Sequence, residues 1–520
     1  MAREVRINLN PAAAADEAAV RKIAASMAGL DQSAVTGIRV LKRSVDARNK
    51  NIRINLTVEV FSSTDPEPEP VAPFVPSDVT RGREVIIVGA GPAGLFAALQ
   101  LIESGLKPVI LERGRDISSR KRDIARISRE HVVDPDSNYC FGEGGAGTYS
   151  DGKLYTRSKK RGDNRRVLEL LCLHGANKNI LYEAHPHLGT DKLPGIISRI
   201  RETIVSAGGV FLFGKRVTEL LVEGSAMAGV ATSGGEIYRS PVVILASGHS
   251  ARDIYGICTR SGIDLEMKSF AVGVRVEHPQ ELIDRIQYHG SRRGDYLPAA
   301  AYSLVKQVDG RGVYSFCMCP GGFIVPSATS QEEVVVNGMS PSDRNSPYAN
   351  SGIVVEIRSE DLGKYSQAGL LAGIEFQKEL ERTAWENGGM TQRAPAQRLA
   401  DFVAGKTSGT LPKVSYFPGV TSSSLHEWLP EPVNVRLREG FRQFGQILKG
   451  YLTNDAVILG VESRTSSPVR IPRDPENLQH IRIRGLYPCG EGSGYAGGIV
   501  SSAVDGMNVA DAVGAVLSRK

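Results

Sequence analysis

The feature that most constrains the fold of this chain is a short apolar segment that runs directly into a glycine-rich turn. Residues 85–88 are all apolar, and Gly89, Gly91 and Gly94 follow at the spacing G-x-G-x-x-G. A buried strand that ends in such a turn and opens a helix is typical of proteins that bind the pyrophosphate of a dinucleotide. The glycines allow a tight turn, a close approach of the backbone to phosphate, and close packing of helix on strand. The sequence therefore predicts a nucleotide-binding α/β domain.

An acidic residue follows the next predicted strand. Glu112 ends the apolar segment 109–112, 18 residues after Gly94. A carboxylate at that position accepts hydrogen bonds from ribose hydroxyls and disfavours a 2′-phosphate. The spacing therefore predicts an adenosine ribose beside Glu112.

Two later turns distinguish FAD from a nicotinamide nucleotide. The apolar segment 243–246 ends in a small-residue turn, and segment 485–491 ends in Gly490 and Glu491. A final helix is predicted to begin near Ile499, where its N-terminus would favour negative charge on a reduced flavin. Turns at the start, middle and end of the chain indicate one discontinuous FAD domain with a second domain inserted.

A second glycine-rich segment covers residues 141–153. It also contains G-x-G-x-x-G, but no strand precedes it, so a second dinucleotide fold is not expected. We interpret it as a loop along the pyrophosphate and isoalloxazine of the same FAD. Because we find no dedicated nicotinamide domain, the electron donor is expected to be NADH or NADPH visiting transiently, or another protein. The predicted FAD-binding residues are Gly89, Gly91, Pro92, Ala93, Gly94, Glu112, Arg113, Gly144, Gly145, Gly147, Ser150, Asp151, Gly152, Lys153, Val217, Ser247, Gly248, Gly490, Glu491, Gly497, Gly498 and Ile499.

The length of 520 residues favours two or three domains. Apolar alternation and one helical segment capped by Asp16 predict a small strand–helix–strand–strand module over residues 1–61, followed by a proline-rich linker over 62–80. The FAD domain is expected at 81–252 and 474–520, around an inserted α/β substrate domain at 253–473. Residues 113–162 are expected to be loop-rich, and the inserted domain shows one clear helix, at 370–387.

Composition narrows the class of protein. The net charge is only +6, with six cysteines and no apolar N-terminal segment. We expect a soluble, cytoplasmic protein without a disulfide framework or a membrane anchor. The basic residues 159–161 and 165–166 permit a nucleic-acid partner, but few aromatic residues accompany them, so this support is weak. The oligomeric state is not indicated.

A C-x-C pair, Cys317 and Cys319, is the first candidate for catalysis. A redox role requires a lowered thiol pKa and contact with the flavin. The alternative is two small residues packed inside the protein. Zinc would need two further ligands, and we expect no metal.

Two polar residues near the predicted flavin are further catalytic candidates. Arg464 precedes the last strand of the FAD domain, where a guanidinium suits a carboxylate substrate or the flavin C2 carbonyl. A structural role is the equal alternative for Arg464. Tyr495 lies in the loop before the final helix and is a comparable candidate.

Several longer motifs carry a family resemblance. They are residues 43–48, 141–153, 275–279, 315–322, 464–470 and 489–499. With these motifs the chain resembles a largely uncharacterised bacterial and plastid family of FAD-dependent, NAD/FAD-utilizing dehydrogenases, within the glutathione-reductase-like FAD superfamily. The resemblance covers nearly the whole length and implies FAD binding and oxidoreductase activity, without a substrate.

These observations together predict an FAD-dependent oxidoreductase in which the flavin transfers hydride to or from a small molecule. A flavin-dependent RNA-modifying enzyme is one alternative. A flavoprotein that carries electrons without its own substrate is another, and a flavin monooxygenase is a third. The expected fold is α/β, with a discontinuous Rossmann-type FAD domain, an inserted α/β substrate domain and a small N-terminal α/β domain.

Overall fold

The N-terminal module has the predicted order of elements. The structure is a computed structural model that describes residues 2–66, 71–155, 162–290 and 293–518. The module consists of β1 (Arg3–Leu9), α1 (Pro11–Ala15), α2 (Glu17–Met27), β2 (Val35–Asp46) and β3 (Arg53–Ser62). The strands form an antiparallel sheet in the order β1-β3-β2. Asp16 caps α2 as expected, by accepting from the N–H groups of Ala18 and Ala19. The predicted linker at 62–80 lies partly outside the described residues.

The first part of the FAD domain alternates strands and helices. Its elements are β4 (Glu84–Val88), α3 (Pro92–Glu103), β5 (Lys107–Leu111), α4 (Ile117–Glu130), α5 (Asn164–Leu173), α6 (Leu193–Ser206), β6 (Val210–Leu212), β7 (Val217–Glu223), β8 (Ala226–Thr232), β9 (Ile237–Arg239), β10 (Val243–Leu245) and α7 (Arg252–Arg260). Strands β7, β8 and β9 form a separate antiparallel meander.

The inserted domain is built on a larger sheet. The remaining elements are β11 (Glu266–Met267), β12 (Phe270–Pro279), α8 (Gln280–Gln287), β13 (Val305–Val308), β14 (Arg311–Cys319), β15 (Phe323–Pro326), β16 (Val336–Met339), β17 (Tyr348–Ile357), α9 (Ala372–Asn387), β18 (Ala394–Arg398), α10 (Leu399–Ala404), β19 (Val420–Ser422), α11 (Leu425–Trp428), α12 (Glu431–Ile447), β20 (Val457–Glu462), β21 (Val469–Arg470), β22 (Leu486–Pro488) and α13 (Ile499–Leu517). The seven-stranded sheet has the order β13-β14-β17-β12-β20-β18-β19 and is mostly antiparallel. The helix expected at 370–387 is α9.

A five-stranded parallel sheet joins the two ends of the FAD domain. Its order is β22-β10-β4-β5-β6, so that β22 pairs with β10 across more than 200 residues of chain. Helix α13 then packs on α3, where a Cβ built on Gly506 would lie 2.1 Å from the carbonyl oxygen of Ala93. By length and composition, α13 would suffice to cross a membrane, and half of it is buried inside the protein. Packing on α3 accounts for its apolar composition.

Helix α7 belongs to the core of the FAD domain. Its Ile254, Tyr255 and Cys258 pack in the same buried cluster as Val88 of β4 and Leu111 of β5. Strand β21, near the other end of the insertion, contributes to this cluster through Val469. These contacts place α7 and β21 in the core of the FAD domain. The limits of 253 and 473 for the inserted domain stay predictions.

The segment expected to be loop-rich contains a well-formed helix, α4. Asp116 caps it, accepting from the N–H groups of Ser118 and Ser119. The inward face of α4 carries Arg120 and Asp123 beside two isoleucines. Because charged residues occupy buried positions, the apolar periodicity that indicates a helix is masked. The prediction of a loop was therefore wrong for these residues.

Candidate functional site

The glycine-rich turn between β4 and α3 leaves room at its middle glycine. A Cβ on Gly89 would lie 2.5 Å from the carbonyl oxygen of Ala246, and one on Gly94 would lie 2.0 Å from that of Gly89. Close packing thus requires glycine at the first and third positions. At Gly91, the nearest heavy atom to a built Cβ is the Cα of Gly145, 4.0 Å away. Packing alone does not require the second glycine, which is the position where a pyrophosphate would approach the backbone.

The N-terminus of α3 begins at this turn. Gly91 is its N-cap residue and makes no side-chain capping hydrogen bond, and Pro92 is the first helical residue. An uncapped helix N-terminus carries partial positive charge and unpaired N–H groups. A phosphate group would satisfy both.

Glu112 lies buried beneath the turn. Its Oε2 accepts from the N–H of Ala90 at 2.8 Å, and its Oε1 accepts from the N–H groups of Gly114 and Gly142 at 2.8 and 2.9 Å. A carboxylate has about four acceptor positions, so these bonds leave about one, on Oε2. Glu112 therefore fixes the two loops beside the turn, and a ribose hydroxyl would have one acceptor available.

The second glycine-rich segment lies against the turn, as expected for that loop. The N–H of Gly144 donates to the carbonyl of Ala90 at 2.9 Å. A Cβ on Gly145 would be 3.1 Å from the Cα of Gly91. A Cβ on Gly147 would lie 3.4 Å from Pro92 and 3.5 Å from Ile499. The loop thus spans from the first turn to the N-terminus of α13.

Arg120 fixes the conformation of this loop through hydrogen bonds to its backbone. The sequence analysis did not single out this residue. Its guanidinium, fully buried, donates to the carbonyls of Asn138, Tyr139, Glu143 and Gly145 at 2.7 to 2.9 Å. Because four backbone carbonyls converge on one cation, the loop conformation depends on this side chain. The only sequence signal was a helix cap, Asp116, ahead of a polar segment.

The turns after β10 and β22 form the rest of the border of the candidate site. The residues after β10 include Ser247 and Gly248, and a Cβ on Gly492 would lie 2.5 Å from the carbonyl of Gly248, so the two turns touch. Glu491 lies 3.5 Å from the Nδ1 of His249. Gly490 donates its N–H to Asp505 of α13 at 2.7 Å, a contact that the sequence did not indicate.

The N-terminus of α13 faces open space. Gly498 is its N-cap residue and makes no side-chain capping bond. A Cβ built on Gly248, Gly497 or Gly498 meets no heavy atom within 4 Å. Two helix N-termini without side-chain caps, those of α3 and α13, therefore border one open region. We call this region, with the turns after β4, β10 and β22 and the loop 141–153 around it, the cradle. The cradle fits a ligand with phosphates at one end and an anionic ring at the other.

Several predicted FAD-binding side chains, among them those of Arg113, Ser150, Asp151 and Val217, make contacts within the protein. Arg113 donates to Asp136 and Asp253 and stacks over Phe141, with 4.1 Å from its Cζ to the ring centroid. Asp151 is buried and accepts from Arg344 at 2.9 Å. Ser150 donates to the carbonyl of Gly147 and accepts from the N–H of Gly152. Val217 packs in the core cluster beneath β4 and β5. These side chains shape the cradle, and their contact with a cofactor stays a prediction.

Arg464 lies in a buried ionic cluster. It donates to Glu381 at 2.8 Å, to Glu333 at 2.7 Å and to Thr329 at 2.8 Å, and Arg252 of α7 binds the same Glu381. These cations hold the pKa of the Glu381 carboxyl well below its usual value, against the effect of burial. The contacts favour the structural alternative for Arg464, since its donors are occupied within the protein.

Tyr495 is half-buried beside the end of β22. Its hydroxyl accepts from the N–H of Arg473 at 2.9 Å, and the Arg473 guanidinium lies 3.8 Å from the ring centroid. Arg473 in turn binds Asp505. Tyr495 therefore fixes the loop before α13 through its contacts with Arg473. A catalytic role for Tyr495 stays a prediction.

Cys317 and Cys319 lie together beside the far end of the glycine-rich loop. The Nζ of Lys153 lies 3.6 Å from both sulfur atoms. The structure thus joins three residues that the sequence analysis had placed in separate groups. Of the basic residues considered for nucleic acid, 159–161 lie outside the described residues, and Arg165 and Arg166 pair with Glu169 and Glu103.

The fold and the cradle define a flavoprotein of the dinucleotide-binding α/β class. Family models agree. One described as an FAD binding domain matches residues 83–128, one described as the C-terminal domain-like part of an FAD-dependent protein matches 269–465, and a domain of unknown function matches 1–61. The chain is 40% identical over 500 residues to an uncharacterized protein of Clostridium beijerinckii, covering 92% of each, and it belongs to the same family. It is an FAD-dependent oxidoreductase with a multidomain α/β fold.

Solved structures with low identity also align. L-proline dehydrogenase from P. horikoshii is 12% identical with a TM-score of 0.34, over 84% of this chain and 94% of that chain. E. coli quinol fumarate reductase FrdA is 12% identical with a TM-score of 0.37, over 84% and 70%. Tetracycline destructase Tet(51) is 10% identical with a TM-score of 0.33, over 84% and 82%.

Proposed function

We propose that FAD lies across the cradle, with its pyrophosphate at the N-terminus of α3 and its isoalloxazine towards the N-terminus of α13, and that it oxidises or reduces a small molecule beneath the inserted domain. The single observation that carries this proposal is the meeting of two uncapped helix N-termini at one open region. Membership of the glutathione-reductase-like superfamily and a cytoplasmic location belong to the same proposal.

The residues of this chain have distinct tasks in that arrangement. The N–H groups at Gly91 and the start of α3 bind phosphate oxygens, and Glu112 accepts from the adenosine ribose. Glu491 accepts from ribityl hydroxyls. The N-terminus of α13, with Gly497 and Gly498, stabilises negative charge through its dipole.

Bound FAD supplies two-electron hydride chemistry. The chain supplies the position. The ionic cluster around Glu381 ties the inserted domain to α7 of the FAD domain. The substrate is a small molecule, and NADH or NADPH is the proposed transient donor.

The experiment is anaerobic reduction of the purified, FAD-loaded protein. NADH, NADPH and fractionated small-molecule extracts are mixed with it separately, and the loss of flavin absorbance is followed. Rapid bleaching by one of them supports a reductase or dehydrogenase. If none of them bleaches the flavin while FAD is bound, the proposed substrate chemistry is contradicted. The alternative of a flavoprotein that carries electrons without its own substrate would then be favoured.

A further inference from the structure

The C-x-C pair lies at an irregularity in the seven-stranded sheet. Strand β14 pairs with β17 through Phe316 and Gly352, and its next pair is Cys319 with Asn350, so the register shifts between them. Cys317 lies at this bulge with φ of +45°, in the left-handed region. For a residue other than glycine that conformation is unfavourable and persists only where the surrounding structure fixes it. Bulges of this kind redirect side chains beside active sites.

One lysine faces both sulfur atoms. The Nζ of Lys153 is 3.6 Å from the Sγ of Cys317 and 3.6 Å from that of Cys319. Lys153 also lies 3.5 Å from Asp151, whose charge is shared with Arg344. The ammonium is therefore fixed between a carboxylate and the sulfur pair, where it stabilises a thiolate.

The two thiols differ in character. The thiol of Cys319 donates to the carbonyl oxygen of Cys317 at 3.3 Å. The adjacent Cys319 side chain and the nearby cations of Lys153 and Arg275 hold the pKa of Cys317 well below its usual value. The adjacent Cys317 side chain and burial raise the pKa of Cys319. A thiolate is therefore favoured on Cys317 over Cys319, and the Nζ of Lys153, 3.6 Å from the Cys317 Sγ, is placed to stabilise it. Burial instead raises the pKa of Cys172, elsewhere in the chain, to about 11.

Access also differs between the two sulfur-bearing residues. Cys319 is fully buried, whereas Cys317 is half-buried. An incoming molecule thus meets the thiolate first. In a regular strand, residues i and i+2 lie about 6.8 Å apart, at the upper limit for a disulfide. Here both sulfur atoms lie 3.6 Å from the same Nζ of Lys153, so they point to the same side of the bulge.

We propose that Cys317 and Cys319 form a redox-active dithiol that reduces a small-molecule disulfide, with Cys317 as the attacking and Cys319 as the resolving residue. The Cys317 thiolate attacks one sulfur of the disulfide, the sulfur–sulfur bond breaks, and the first thiolate leaves and takes up a proton. Cys319 then gives up its proton and attacks the Sγ of Cys317, which expels the second thiol. The disulfide gains two electrons, and the cysteine pair loses them as it closes its own sulfur–sulfur bond.

This chemistry goes beyond the proposed flavin reaction and does not need FAD for a single turnover. It can therefore be tested on the protein with or without bound FAD, and the two proposals can fail separately. Anaerobic flavin bleaching addresses one, and thiol chemistry addresses the other.

The first test is alkylation of the reduced protein by iodoacetamide across a pH series, with each cysteine quantified by peptide mass spectrometry. We expect Cys317 to react at least tenfold faster than Cys172 at pH 7, with a midpoint below the ordinary thiol value of about 8.5. Lys153→Met should move that midpoint upward. Equal rates for Cys317 and Cys172 at pH 7, or no shift in Lys153→Met, would overturn the proposal.

The second test is stoichiometric reaction with glutathione disulfide. The reduced wild-type protein should yield two equivalents of glutathione and one internal disulfide, which dithiothreitol reopens. Cys319→Ser should accumulate the mixed disulfide on Cys317, and Cys172→Ser should behave as the wild type. Absence of an internal disulfide in the wild type refutes the proposal. Because the wild-type measurements need no variant, a failure of Cys319→Ser to fold would leave the proposal testable.

Discussion

A Cβ built on Gly145 would lie 3.1 Å from the Cα of Gly91, and one built on Gly91 would lie 4.0 Å from the Cα of Gly145, so two glycine-rich loops contact each other through their backbones. The first loop opens α3, and the second is fixed by Arg120. A phosphate group would therefore approach beside this contact, at the N-terminus of α3. The shape of the predicted phosphate site thus depends on two residues, Gly91 and Gly145, that lie far apart in the sequence.

Replacing the middle glycine should abolish FAD binding. In Gly91→Leu, a branched side chain would occupy the space beside Gly145 at the N-terminus of α3 and exclude the phosphates. We expect FAD retention after gel filtration to fall at least tenfold, measured by the ratio of flavin to protein absorbance.

Gly409→Leu is the matched control for that substitution. Gly409 is exposed, and a Cβ built there meets no heavy atom within 4 Å. It should retain FAD as the wild type does. Full flavin content in Gly91→Leu would mean that the turn does not bind the cofactor.

Arg120→Lys should loosen the second loop. A lysine ammonium has three donors and cannot replace the bonds from the guanidinium to four carbonyls. Leaving buried carbonyls unpaired costs about 1–3 kcal/mol each. We expect a Kd for FAD raised at least tenfold, by fluorescence titration, and faster proteolysis within residues 138–148.

Arg126→Lys, on the same helix, is the control for Arg120. Arg126 is exposed and pairs with Glu130 across one helical turn, a contact worth little. FAD affinity should not change in this variant. Equal affinities in Arg120→Lys and the wild type would show that the loop keeps its form without the buried cation.

The parts of the fold that could be predicted are those with a local apolar pattern. Residues 85–88 of β4, and strands β10 and β22, are buried and consist of apolar or aromatic residues, and α13 begins at the predicted Ile499. Glycine spacing reveals the turn at Gly91 because the backbone itself contacts the ligand there. These signals are contained within about ten residues each.

The parts that could not be predicted depend on partners distant in sequence. Arg120 binds carbonyls up to 25 positions away, and Glu381 binds Arg464, 83 positions away. Lys153 meets Cys317 across 164 positions. A charged residue at a buried position looks like a solvated one in sequence, because only its partner makes burial favourable.

Substitutions in the buried ionic cluster around Arg464 should lower the stability of the protein more than they lower the rate of flavin reduction. Removing one member of a buried ion pair costs about 3–5 kcal/mol, because the remaining charge is left uncompensated. We expect a large fall in Tm for both Arg464→Gln and Glu381→Gln, measured by calorimetry with FAD bound. The double variant should lose less than the sum of the two.

Arg382→Gln, an exposed neighbour of Glu381, should leave Tm within about 1 °C of the wild type, since exposed pairs contribute little. A wild-type Tm for Arg464→Gln, together with loss of flavin reduction by its substrate, would instead assign Arg464 to the reaction.

His278 should make stability fall on acidification. It is fully buried, its Nε2–H donates to the carbonyl of Tyr451 at 2.8 Å, and within the described residues its Nδ1 has no hydrogen-bond partner. Burial lowers the pKa of His278 to about 4. Below pH 6.5 the unfolded chain binds a proton at this site that the folded chain does not. The contribution of His278 to stability is therefore present above pH 6.5 and is lost as the pH falls towards 4.

The change corresponds to about 3 kcal/mol in the free energy of unfolding between pH 7 and pH 4. His278→Gln keeps a donor for the carbonyl of Tyr451 but does not titrate, so its stability should fall less over the same range. Denaturant unfolding at a series of pH values measures the difference between the two curves, and His185→Gln, at an exposed histidine, serves as the control. Parallel curves for the wild type and His278→Gln would show that His278 takes up its proton without unfolding the protein, which contradicts a neutral, buried ring.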